Sequence, residues 1–343
     1  MQNTIPNIAS KPTVITQPIL LKWPSDLDNS LSDISEATAN RLNDIHGTIN
    51  QCDLLLSSSG NYHMAFKNIW DMFLHKKAIP MNFKNCLYTT TPPIIEKQLL
   101  NGGFNIGNLS IQTKPQVAII PGKLSEVLQQ QNLIEDDPLP LIQNKGNVLL
   151  VSKNNPKKIS SIWDLAKNNV RIATPNPDSE PGTFNNFSHS IFNIANQISD
   201  KKSDSADNLF NEIFSSNNKT KWICGEKIMH REIPWLIASN FADVAVVFYH
   251  LAKHICELFP NQFSIIPLGG SVDKPNPLPG NRIGVLHLVK IKSLWTEKQI
   301  QARNAMIEIL TSDECTHLLH NCGLERPKSF TETQLEKADL AFS

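Results

Sequence analysis

The sequence predicts a parallel α/β architecture, and three observations carry that prediction. Short apolar runs recur from residue 52 onward, each passing into a loop of small and polar residues and then into a helical pattern. The runs are nearly continuous, as in Asn147-Val-Leu-Leu-Val151 and Asp243-Val-Ala-Val-Val247, which suits sheets covered on both faces. The chain has 343 residues and is 40% hydrophobic, which leaves room for two domains with sizeable cores.

Residues 1–50 stand apart from this rhythm. Residues 13–23 read as an irregular strand. Leu27, Leu31, Ile34, Leu42, Ile45 and Ile49 then recur at helical spacing and predict an amphipathic helix over 25–49. From residue 52 the strands are predicted at 52–56, 85–88, 116–120, 147–151, 170–173, 220–224 and 243–247. Helices follow to about His75, Leu100, Gln131, Ile198 and Leu258, with a short capped helix at 160–166. Residues 199–221 are polar and low in complexity. They read as a solvated surface excursion, with a short helix near 208–214.

Composition removes several classes of function. Lys+Arg and Asp+Glu are both 32, so the formal net charge is zero and no basic footprint for nucleic acid exists. No window approaches 18 apolar residues, so no membrane-spanning helix is expected. The start of the chain lacks a basic segment followed by an apolar one and does not read as a secretory signal. None of the six cysteines forms a Cys-x-x-Cys pair, and they read as buried, reduced thiols. There is no Gly-x-Gly-x-x-Gly, phosphate loop, Gly-x-Ser-x-Gly elbow or His-Glu-x-x-His. His250 and His254 lie one helical turn apart without an accompanying carboxylate motif. No metal, cofactor or enzymatic activity is expected.

In open parallel sheets a ligand sits beyond the carboxyl ends of the strands, against helix N-termini whose unpaired N–H groups and dipole favour an anion. Four loops fit: 57–62, 89–93, 176–183 and 248–250. The first two carry hydroxyl triplets, Ser57-Ser58-Ser59 and Thr89-Thr90-Thr91, and no charge. Hydroxyls there either donate to an oxyanion or serve as ordinary helix caps; two triplets at successive strand ends favour a site.

These loops carry a resemblance. Leu54-Leu-Leu-Ser-Ser-Ser-Gly-Asn-Tyr-His-Met-Ala65 resembles the first strand and anion loop of the type II periplasmic solute-binding proteins. Tyr88-Thr-Thr-Thr-Pro-Pro-Ile-Ile-Glu-Lys-Gln98 resembles their second. The run from 147 to 183 resembles the crossover into the second lobe and the third loop, and 242–250 resembles the segment that brings a tyrosine to the ligand in molybdate-binding members. The resemblance spans about 52–327. It implies a two-lobed α/β fold with a ligand cleft between lobes: lobe one over 52–143 with 280–327, lobe two over 147–270, and an N-terminal extension over 1–50. The glycine- and proline-rich 268–280 stretch would serve as hinge or linker.

By the same resemblance the ligand is a small anion, a molybdate-like oxyanion or a small acid, taken up for ABC-type import with a permease as partner. Its expected contacts are Ser57, Ser58, Ser59, Asn61, Thr89, Thr90, Thr91, Asn176, Ser179, Thr183, Arg231 and Tyr249. The family's tyrosine aligns with Phe248 and leaves Tyr249 one position late, a shift that turns a side chain to the other face of a strand. Asp178 and Glu180 bring negative charge to the third loop, and Arg231 supplies a guanidinium fork for an anion or a nearby acid. The resemblance implies a monomeric periplasmic protein. The missing signal and the unassigned segment 1–50 motivate the alternative, a cytoplasmic sensor or interaction protein on the same fold.

Overall fold

A computed structural model of the chain describes residues 5–16, 45–46, 52–89, 100, 104–106, 109–111, 114–198, 205–215, 218–226 and 229–330. In chain order the strands are β1 (Thr13–Val14), β2 (Ile45–His46), β3 (Leu54–Ser58), β4 (Cys86–Thr89), β5 (Phe104–Ile106), β6 (Leu109–Ile111), β7 (Val117–Pro121), β8 (Leu139–Gln143), β9 (Asn147–Ser152), β10 (Ile172–Thr174), β11 (Trp222–Cys224), β12 (Val244–Phe248), β13 (Phe263–Ile266) and β14 (Val285–Lys290). The α-helices are α1 (His63–Phe73), α2 (Gly122–Gln130), α3 (Pro181–Ile198), α4 (Ala206–Phe214), α5 (Met229–Ala238), α6 (Tyr249–Leu258), α7 (Glu297–Thr311) and α8 (Asp313–Asn321).

The chain divides into two compact units. Unit one comprises 1–24 and 145–283, and unit two comprises 25–144 and 284–343. Unit two is built on a sheet of order β2-β4-β3-β7-β14-β8. Period-2 alternation sends successive residues of β7 to opposite faces. Val117 and Ile119 pack with Leu54 and Leu56 against α1, α7 and α8, whereas Ala118 and Ile120 pack with Leu128, Val289 and Ile291 on the other face. Along α1, Ala65, Phe66, Ile69, Trp70 and Phe73 recur at 3- and 4-residue spacing and are buried.

Unit one is built on a sheet of order β1-β11-β10-β12-β9-β13. An aromatic cluster fills one side: Phe184 stacks on Trp222 at 5.5 Å, Phe214 meets Trp222 edge-on at 4.9 Å, and Phe210 lies 4.7 Å from Phe214. Phe210 and Phe214 belong to α4, whose Leu209 and Ile213 are also buried. The 199–221 stretch is therefore a core contributor in its middle rather than a solvated excursion. Four large apolar side chains at helical spacing outweigh the polar residues around them.

Both sheets are mixed, which refines the all-parallel expectation. β1, β11, β10 and β12 run parallel, with β9 antiparallel to β12. β4, β3 and β7 run parallel, with β14 antiparallel to β7. The register gives the reason. Asn147, the first residue of β9, pairs with Phe248, the last of β12, and Leu286 pairs with Pro121, the last of β7. β9 and β14 each begin beside the end at which a parallel neighbour stops, so each runs the other way.

Two more expectations change. The helix predicted over 25–49 lies largely outside the described residues, and at its end Ile45–His46 is a strand pairing antiparallel with β4. An open sheet edge offers that backbone a partner which helical spacing alone does not. The 268–280 stretch folds back on itself inside unit one: Leu278 N–H donates to Leu268 O at 2.9 Å and Asn276 N–H to Gly269 O at 3.3 Å. Gly269 adopts φ +110° with the carbonyl of Asn276 only 2.1 Å from where a Cβ would stand, so no other residue fits. The unit boundaries fall after Asn144 and after Ile283.

Candidate functional site

In unit two, β3 and β4 end side by side. Ser57 is the register partner of Thr89, and the next residue, Ser58, pairs with Ile119 of β7. The first two serines are buried, at 0% and 1% exposure. The Ser57 hydroxyl has no hydrogen-bond partner among the described residues. Among the described residues Ser58 reaches only a long 3.5 Å contact to the carbonyl of Ser59. Ser59 precedes a 3₁₀ turn, Gly60–Tyr62, which leads into α1, and neither Ser59 nor Tyr62 caps its helix with a side chain. Ser59 thus does not play the ordinary capping role.

Asn61 is buried beside them. Tyr62 is buried and accepts from Asn144 Nδ2 at 3.3 Å, and burial pushes its phenol up to about 12, so it stays neutral. Thr90 and Thr91 lie outside the described residues.

In unit one, three parallel strands end together. Thr174 closes β10, donating to the carbonyl of Pro175 at 2.9 Å and accepting from Trp222 Nε1 at 2.8 Å. The Asn176 carboxamide braces the loop: its oxygen accepts from Asp178 N–H at 2.9 Å and its Nδ2 donates to Gly225 O at 3.2 Å, after β11. Ser179 is exposed in the turn, and Thr183 is half-buried in the first turn of α3. Arg231 is half-buried in the first turn of α5.

Tyr249 opens α6 and is buried. Its hydroxyl donates to Val272 O at 2.8 Å, and its N–H donates to Gly146 O at 3.0 Å. Phe248 closes β12 with its ring edge-on to Phe187 at 4.9 Å, and His250, fully buried, stacks on Phe248.

Glu180, which the sequence presents as repulsive charge, and Glu232 both have structural duties. Glu180 Oε2 accepts from the Met229 N–H at 2.9 Å, where α5 begins, and Glu232 Oε1 accepts from the Glu226 N–H at 3.0 Å. Glu180 serves an orphan amide at the start of α5, where the dipole favours a negative group, and Glu232 braces the loop before it. Burial raises the Glu180 carboxyl to about 7; the Met229 amide opposes the shift and the charge of Glu232 adds to it. Glu180 thereby ties the β10–α3 loop to the β11–α5 loop. A glutamate just before the Pro181 that starts α3 was the available signal.

All six cysteines are free thiols. No cluster of metal-ligating side chains occurs among the described residues, nor any helix long and apolar enough to cross a membrane.

A family model described as bacterial extracellular solute-binding protein matches residues 109–325. Among solved structures the chain is similar to the sulfate-binding protein SubI from Mycobacterium tuberculosis, with 12% identity over 81% of this chain and 88% of that one and a TM-score of 0.53. Iron-bound HitA from Pseudomonas aeruginosa is 11% identical over 78% and 83%, with a TM-score of 0.51. L-phospholactate-bound PEB3, a Campylobacter jejuni protein, is 14% identical over 80% and 100%, with a TM-score of 0.50. At such identities the likeness is one of fold. No curated protein matches the sequence.

Proposed function

The chain belongs to the bacterial extracellular solute-binding proteins, and we propose that it captures a small anionic ligand, a molybdate-like oxyanion or a small acid, for delivery to an ABC-type permease. One observation carries the choice of an anion. The Ser57 hydroxyl is buried at the carboxyl end of β3 with no partner among the described residues. A buried hydroxyl without a partner costs about 1–3 kcal/mol. A ligand oxygen at the strand end would receive its proton and offset that cost.

The surroundings suit such a ligand. The start of α1, which no side chain caps, lies next in the chain, and Thr89 stands opposite Ser57 in the register. On this reading Ser57, Ser58, Ser59, Asn61, Thr89, Thr90 and Thr91 are the contacts of unit two, and Asn176, Ser179, Thr183, Arg231 and Tyr249 those of unit one. The two groups do not weigh equally. The Asn176 carboxamide is occupied in bracing its loop, and Tyr249 would donate to an anion only by exchanging its bond to Val272. The names of two structures of similar fold, one a sulfate-binding protein and one bound to L-phospholactate, lend support from oxyanion and small-acid chemistry.

A thermal-shift screen of molybdate, tungstate, sulfate, phosphate and small carboxylates tests the proposal. At a hundredfold excess over Kd a true ligand adds about 2.7 kcal/mol of stability. No shift with any of them would overturn the anion reading and leave the family assignment standing.

A further inference from the structure

Helix α3 joins the candidate ligand loop to the two segments by which the chain enters and leaves unit one. It begins at Pro181, directly after the Asn176–Glu180 loop, and runs 18 residues. Thr183, Asn186, Ser190 and Asn193 follow one another at spacings of three, four and three, which places them on one stripe of the helix. Thr183 opens the stripe. Further along, the stripe grips the crossing segments.

Asn147, where the chain enters, donates through Nδ2 to Asn186 Oδ1 at 3.0 Å and to Ser190 Oγ at 2.8 Å. Ser190 Oγ also accepts from the Arg282 N–H at 3.0 Å, where the chain leaves. The two segments hold each other as well: Asn147 N–H donates to Asn281 Oδ1 at 2.8 Å, and Asn281 Nδ2 returns to Asn147 O at 2.9 Å. Gly280 presses its backbone on that of Asn193, where a Cβ would stand 2.5 Å from the carbonyl carbon. Ser190 and Asn147 are 0% and 1% exposed, so these bonds are sheltered from water.

We infer that Ser190 is a positioning residue through which ligand contact at the start of α3 is transmitted to both crossing segments. The inference rests on the anion reading above. Ser190 lies nine residues beyond Pro181, about 14 Å along a helix, and a helix of this length moves as a rod. A ligand that orders the Asn176–Thr183 loop shifts or stiffens α3, and its stripe imposes the change on Asn147 and Arg282 together, because one hydroxyl serves both. A purely structural Ser190 would hold the same bonds, and its loss would leave the response to ligand unchanged.

Amide hydrogen exchange resolved by residue tests this, with molybdate, sulfate or inorganic phosphate as the added anion. In the unaltered chain, exchange slows both in the 176–183 loop and at the Asn147 and Arg282 amides, by about tenfold at the crossing segments, within the usual span of coupling between sites. In Ser190→Ala the loop still responds and the crossing amides do not. Should Ser190→Ala fail to fold, Asn186→Ala leaves Ser190 in place; the Asn147 response then falls while that of Arg282 persists. A loop response with silent crossing amides in the unaltered chain, or one that survives Ser190→Ala in full, overturns the inference and leaves the anion reading intact. Silence at every amide with all three anions overturns the inference for oxyanions together with the oxyanion form of the reading it rests on.

Discussion

Ser57 faces Thr89 across the parallel register of β3 and β4, so the two hydroxyl triplets of the sequence begin at neighbouring strand ends. With the Ser57 hydroxyl buried and unpartnered among the described residues, Ser57→Ala is expected to have opposed effects. Stability rises by up to about 1–3 kcal/mol as an unsatisfied polar group is removed. Affinity for the anion falls by roughly ten- to a hundredfold, the value of a charge-assisted hydrogen bond. Urea titration and binding measured on one preparation check both. A variant that loses stability and keeps its affinity would mean that Ser57 is a packing residue.

Glu180 predicts a pH dependence. Burial holds its folded-state value near 7, above the ordinary 4.5, so the folded protein binds the extra proton. For a carboxyl raised in this way, the stabilising contribution is full below about 4.5 and is lost as pH rises through about 7. The melting temperature of the unaltered chain should decline across that window. Glu180→Gln, which keeps an acceptor for the Met229 amide, should flatten the decline. An unchanged slope in the variant would assign the dependence to other groups.

Arg231 separates ligand contact from structural pairing. If its guanidinium meets the anion, Arg231→Lys costs about 1.5–3 kcal/mol of affinity, because an ammonium cannot reproduce the planar fork, and the melting temperature barely moves. The opposite pattern, a lowered melting temperature with affinity intact, would place Arg231 in the scaffold.

Phe210 tests the reassigned 199–221 stretch. It is 1% exposed and packs on Phe192 and Phe214. Phe210→Ala should therefore cost about 3–5 kcal/mol, read as a lower urea midpoint. A cost under 1 kcal/mol would return α4 to the surface.

The sequence made the strand ends legible because apolar runs there stop abruptly at small and polar residues, as at Leu56-Ser57 and Ala173-Thr174. Other features depend on relations between distant residues. The polar flanks of α4 mask Leu209, Phe210, Ile213 and Phe214, whose burial depends on Trp222 and Phe184 arriving from elsewhere in the chain. Glu180 reads as a charge hostile to an anion until the Met229 amide is seen against its carboxylate. The glycines and prolines of 268–280 resemble a linker, yet the positive φ angles of Gly269, Gly270 and Gly280 serve a turn packed within unit one. Asn147, Ser190 and Asn281 are unremarkable in sequence, and only their bonds to one another mark them.

The central claim is that buried hydroxyls at the end of β3 capture an anion. Isothermal titration calorimetry on the unaltered chain and on Ser57→Ala, against molybdate, tungstate, sulfate, phosphate and small carboxylates, tests it most directly. The account predicts saturable binding of at least one of these at one site per chain, and its loss or marked weakening in the variant. No heat with any anion on a folded protein, or equal affinity in the two proteins, would contradict it.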